Sequence, residues 1–195
     1  MGAPVSNWVT HLSSGTTFMK TIIPFVAVCL LASAQCFTGC ASRPKDATRE
    51  ALLSLPWQQF DQTLNSGWRV YSERHEYRAA ADVIEVYLKQ HQELTVRQRA
   101  VSHFHAGQMR VYDGRVKAGV AHMKKALVPE IPPGLPDDWN IMVSAHIAFV
   151  TGDRATLVAL KERVAALPPS RVEWPGCPAD LLEHFGQPFA SWKGK

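Results

Sequence analysis

In the stretch EYRAAADVIEVYLKQHQEL, Tyr77, Ala80, Ala81, Ile84, Tyr87 and Leu88 return every three or four positions. That spacing gathers them on one face of an α-helix. The same period runs through nearly all of the chain that follows, and the two-residue alternation of a half-buried strand is absent. Apolar stripes of this kind are buried by helix packing on helix, so the expectation is an all-α fold. Thr95-Val96-Arg97-Gln98 reads as a capping box opening a helix with Val101, Phe104 and Val111 inward, which ends at Tyr112-Asp113-Gly114. The next helix would bury Val116, Gly119, Val120, Met123 and Leu127. VPEIPPGLPDD, with four prolines in eleven residues, must then be a loop. Asp137 or Asp138 can cap a helix presenting Met142, Ala145 and Phe149, which breaks at Thr151-Gly152-Asp153. Asp153 can cap a last long helix carrying Leu157, Leu160, Val164 and Leu167, and a short helix is expected around Leu181 to Phe185.

Ahead of this lies a segment of another character. Ile22 to Ala34 is a thirteen-residue apolar run broken by Pro24 and Ser33, behind Lys20. It is short for a membrane span, which needs about 20 residues, and suits the core of a secretory signal. Residues 1–18 are polar, Ser- and Thr-rich, and carry no charged side chain, so Met19 is the expected start. Two cleavage sites compete. Ala32-Ser33-Ala34 has the small-x-small pattern of ordinary signal removal. Phe37-Thr38-Gly39-Cys40 resembles the lipobox of bacterial lipoproteins, with Phe37 where Leu is usual. The resemblance implies cleavage before Cys40, acylation of its thiol, and, with Ala41 rather than Asp next, placement at the outer membrane. Cleavage there leaves Cys177 as the sole free thiol, so no disulfide can form in the mature chain. Cys177, between Gly176 and Pro178, reads as a packed small side chain. The expected organisation is a signal peptide over 1–39, a lipidated Cys and polar tether over 40–50, and a helical domain over 51–195.

FHAGQMRVYDGRVKAGVAHMKKAL resembles a tetratricopeptide repeat. Ala106 and Gly107 stand at its Leu-Gly pair, Gly114 in its turn, and Gly119 and Ala126 at its small positions, with Met123 between. His103 and Arg110 replace the Trp and Tyr of that pattern. Equivalent points recur at Ala80, Gly119 and Leu157, in steps of 39 and 38 residues, longer than the family's usual 34. The resemblance implies a short right-handed stack of about three helix-turn-helix hairpins, six to seven helices in all. A plain helical bundle and another long-period helical repeat are the rival architectures. Gly119 should pack near Gly107, tolerating Ala but not Leu.

About 155 residues beyond the leader suffice for a single domain with its own core. The net charge of +4 is scattered and forms no dense basic stripe, which argues against nucleic acid as a partner. No phosphate loop, dinucleotide fingerprint, G-x-S-x-G or HExxH occurs. His103 and His105 are two apart and must face different sides of their helix, while His122 or His146 on the neighbouring helices could meet one of them. No carboxylate spacing completes a metal site, so neither catalytic residues nor a cofactor are assigned. The aromatics Trp57, Phe60, Trp68 and Tyr71, and Trp174, Phe185, Phe189 and Trp192, read mainly as covers for the two ends of the stack. The expected function is that of a non-enzymatic outer-membrane lipoprotein, facing the periplasm and binding another envelope protein or peptide. Lipidation at Cys40 would anchor it, and His103 and Arg110 would contact the partner on a wet concave face. The alternatives are a small metal-binding or enzymatic protein using the histidines, or a purely structural one.

Overall fold

The structure, a computed structural model, describes residues 49–136, 138–166 and 177–189. The leader, Cys40 and residues 41–48 of the expected tether therefore lie outside the described residues, as do Asp137, Leu167, Trp174 and Trp192, whereas Arg49 and Glu50, expected in the tether, open the first helix. Within the described residues the regular structure is entirely helical: α1 (Arg49–Leu53), a π-helical turn (Gln58–Gln62), α2 (Arg69–Ser72), α3 (Tyr77–Gln90), α4 (Val96–Tyr112), α5 (Val116–Ala126), α6 (Trp139–Thr151), α7 (Arg154–Ala165) and α8 (Pro178–Glu183). From α2 onward, each helix packs against the next in sequence. No helix among these residues is long and apolar enough to cross a membrane.

The expected stops and starts are in place. Thr95 Oγ1 accepts from the Gln98 amide at 3.2 Å, and the Thr95 amide donates to Gln98 Oε1 at 2.9 Å, closing the capping box of α4. Asp153 caps α7 by accepting from the Thr156 amide at 3.0 Å. Asp138 occupies the N-cap position of α6 but makes no side-chain cap bond. α4 and α5 approach closely where two glycines face each other. A Cβ on Gly119 would lie 2.7 Å from the Gly107 carbonyl oxygen, and one on Gly107 would lie 2.9 Å from the Gly119 carbonyl oxygen. The expected contact is thus present, but its tolerance differs from expectation. Backbone stands in the way, so even alanine must push the helices apart.

Two positions of the α5 stripe also depart from expectation. Val116 and Leu127 are 38 % and 37 % exposed. α5 stops at Ala126, where Trp139 Nε1 donates to the Ala126 carbonyl, and Asn140 pairs with both backbone groups of Val128. That clamp turns Val128 inward and leaves Leu127 facing outward. His146, on α6, is fully buried, packs edge-on to Phe104 and places Nδ1 2.9 Å from the Met142 carbonyl, where a meeting with His103 or His105 was expected as one option. Burial pushes its pKa down to about 4.

The segment before α3 breaks the regular pattern. Pro56 interrupts the chain, and Asn65, Gly67 and His75 take positive φ, a region costly for residues with a Cβ. The result is short turns in place of the full first helix of a hairpin. These turns carry Trp57, Phe60 and Trp68 into the core, each 6 % exposed or less. Phe60 stacks flat on Tyr87 with ring centroids 3.7 Å apart. Burying a side chain of this size stabilises by about 1.5–3 kcal/mol. At the other end, Phe185 and Phe189 pack on Phe149. Among the described residues, these aromatics pack into the core.

Candidate functional site

Helix α4 separates two polar clusters, one under each of its neighbouring histidines. On one side, His105 meets Asp61, the buried carboxylate of the π-helical turn. His105 Nδ1 lies 3.1 Å from both Asp61 oxygens, and Trp68 Nε1 donates to Oδ1 at 3.1 Å. Gln62 donates to Oδ2, and Arg69 Nε donates to the Asp61 carbonyl while its guanidinium lies over the Trp68 ring. Burial alone would raise the Asp61 pKa, but His105, Gln62 and Arg69 outweigh it and hold the group below its ordinary value. A carboxylate accepts, so His105 carries its proton on Nδ1. The rest of the ring lines a cleft of about 450 Å³ with Arg69, Glu73, Tyr77, Gln108 and Tyr112.

On the other side of α4, three helices contribute to one chain of contacts. Arg110 donates from Nε to Glu85 at 2.7 Å and from Nη2 to Asp82 at 2.6 Å, bridging α4 to α3. Its side chain is only 6 % exposed, and these two carboxylates hold its pKa up against burial. Expected on a wet binding face, Arg110 is instead a buried cross-tie. Its position answers Asp82 and Glu85, three residues apart on one face of α3, and the long guanidinium reaches both. Glu85 Oε1 also lies 3.1 Å from His122 Nε2 on α5. The other nitrogen of that ring, Nδ1, is 3.1 Å from His103 Nδ1 on α4. The Gly107–Gly119 approach brings α4 and α5 close enough for this ring-to-ring contact.

His103 lines a groove. The groove, about 410 Å³, is lined by Glu85, Leu88, Lys89, Gln92, Arg99, His103, His122 and Lys125. Lys89 and Lys125 are exposed. Arg99 donates to the His91 and Gln92 carbonyls and so closes the end of α3. Burial lowers the His103 pKa to about 4, and His122, Lys125 and Arg99 push in the same direction. Burial also lowers that of His122, against the pull of Glu85. Among the described residues, no three His, Cys, Asp or Glu side chains are arranged to hold a metal ion. Cys177 is buried beside the start of α8, a packed thiol as expected.

Sequence reasoning missed Asp61 and Glu85. Asp61 could have been found as a lone acid among Trp57, Phe60 and Trp68, where a charge must have partners. Glu85 could have been found with Asp82, because the two share a face of α3 that carries an apolar stripe at its edge. Comparison with known protein families, with curated proteins and with solved structures finds no match to this chain.

Proposed function

We propose that this chain is a lipid-anchored adaptor of the bacterial envelope. In this reading Cys40 holds it at the outer membrane with the helices facing the periplasm, and its helical hairpins stack as in tetratricopeptide repeats. The groove between α3, α4 and α5 captures an acidic segment of a partner protein. One observation carries the reading. Lys89, Arg99 and Lys125 converge on a groove whose single carboxylate, Glu85, is already engaged by Arg110 and His122. An excess of cations around a cavity favours a negatively charged occupant. Packing of consecutive helices and the Gly107–Gly119 approach support the stack.

The test is capture from detergent-solubilised envelopes with Lys89→Glu and Lys125→Glu combined. Both side chains are exposed, so melting should shift little, and capture of the partner should fall sharply. Undiminished capture retires the groove. For the anchor, intact mass of the mature protein should show an acylated N-terminal Cys40. A product beginning at Gln35 without lipid retires that part.

A second reading, a small enzyme, has its own support. An imidazole oriented by a buried carboxylate at the wall of a cleft is the arrangement of a general base. His105 with Asp61 has this form. Hydrolysis of a generic ester by the purified protein, abolished by His105→Gln with the fold intact, would favour it over the adaptor.

A further inference from the structure

The groove holds a chain of three titratable groups whose proton positions follow from geometry. Glu85, a carboxylate, accepts; the 3.1 Å contact therefore needs the proton of His122 on Nε2. A neutral His122 then offers only a lone pair at Nδ1. The facing Nδ1 of His103, 3.1 Å away, must be the donor. That leaves His103 Nε2 as the uncommitted nitrogen of a ring lining the groove, and it too carries a lone pair. At neutral pH the floor of a cationic groove thus presents an acceptor, which repels an anion's oxygen. One added proton at Nε2 converts it into an N–H⁺ donor without disturbing the rest of the chain.

We propose that His103 is the anion-receiving subsite of this groove, and that a carboxylate side chain of an acidic peptide docks there together with one proton. The inference rests on the groove reading above and adds the chemistry of its subsite. The groups facing His103 and His122 are Glu85 and Lys89 from α3, Arg99 and Arg110 from α4, and Lys125 from α5. In the empty groove, burial, His122 and the cations Arg99 and Lys125 disfavour a charged His103 and lower its pKa to about 4. A bound carboxylate supplies the missing negative charge and reverses that balance. Glu85 cannot supply it directly, since Arg110 occupies it on one side and His122 on the other.

The sign of the linkage follows. Binding raises the proton affinity of His103, so the complex holds one proton more than the free protein between the two pKa values. Affinity therefore rises as pH falls through that window, by up to about tenfold per unit for one proton.

The test uses the full chain in detergent with hexaglutamate as probe. Before any ligand is added, nitrogen-15 NMR should find His103 protonated at Nδ1 and His122 at Nε2. Calorimetry in two buffers of different ionisation heat should show proton uptake that grows toward one as pH falls from about 7 to about 5, and affinity should climb over the same range. His103→Gln should keep helicity, remove the uptake and flatten the pH dependence. The opposite tautomers would overturn the subsite directly. Binding that Lys125→Glu abolishes, but that takes up no proton, would overturn the subsite and leave the groove standing. Absence of hexaglutamate binding even at pH 5 would overturn the subsite too, and envelope capture by the Lys89→Glu, Lys125→Glu variant would then decide the groove separately.

Discussion

The two faces of α4 carry nearly the same chemistry, a histidine beside a carboxylate, in two different environments. On the His105 face, Asp61 is fully buried and receives Trp68, Gln62 and His105 together. On the His103 face, Glu85 stays a quarter exposed, and the chain beginning there ends on His103, a ring that lines a groove. A buried carboxylate held by three donors fixes structure, because any rearrangement leaves a polar group unpaired. A relay with one end uncommitted can accept a ligand. Two histidines only two residues apart thus lie in different surroundings.

Substitutions that damage one face and spare the other sharpen this contrast. The largest effect is expected from Asp61→Ala, which leaves Trp68 Nε1 and His105 Nδ1 without their buried acceptor. With two buried donors left unpaired at about 1–3 kcal/mol each, a loss of about 3–5 kcal/mol is expected in urea melts. A loss below about 1 kcal/mol would mean that water replaces the carboxylate, and the structural role of the His105 face would fall. Arg110→Glu comes next. It sets three carboxylates together, but Asp82 is half exposed and can turn toward solvent, so a smaller loss of about 2–3 kcal/mol is expected. That substitution should disturb His122 through Glu85 and leave the His105–Asp61 contact in NMR spectra unchanged.

Gly119→Ala is expected to cost about 1–3 kcal/mol through overpacking against the Gly107 carbonyl. Its more specific mark is separation of His103 from His122 with His105 unmoved. If the melt does not change, α4 and α5 are not as close as the facing glycines require. A pH series gives a smaller effect. The folded pKa of His103 lies below the ordinary histidine value, so the unfolded chain binds more protons between about pH 6.5 and 4. Stability from this group is complete above that window and is lost as pH falls through it. His146 titrates with the same sign, so His103→Gln should reduce the loss without removing it. Asp61, held low, adds its own loss only at more acidic pH. Least of all, Lys125→Glu should stay within about 0.5 kcal/mol of the parent in any melt and act on ligand capture alone.

Much of the helical frame was legible in the residues themselves. The capping box at Thr95, the Asp153 cap, the Pro-rich loop and the facing glycines are local signals or fixed spacings, and their meaning does not depend on distant chain. The site was legible only in part. His103 and His105 were separable by the 100° step of a helix. Arg110, in contrast, was misplaced onto an open face, because a charged residue reads as exposed unless its partners are known.

What the sequence by itself determined is the class of the fold and the order of its helices, since apolar periodicity and capping act over a few residues. It also supplied the readings of the leader and of Cys40. Only the tertiary structure decided which polar groups meet. Trp57 reaches Ser102 across 45 residues, Asp61 reaches His105 across 44, and Arg110 reaches Asp82 across 28. Those pairings exist because turns with positive φ fold the first segment back over α3 and α4, and because two glycines let α5 approach. No local preference encodes such meetings. They are set where packing brings a buried charge within reach of polar groups far away in the chain.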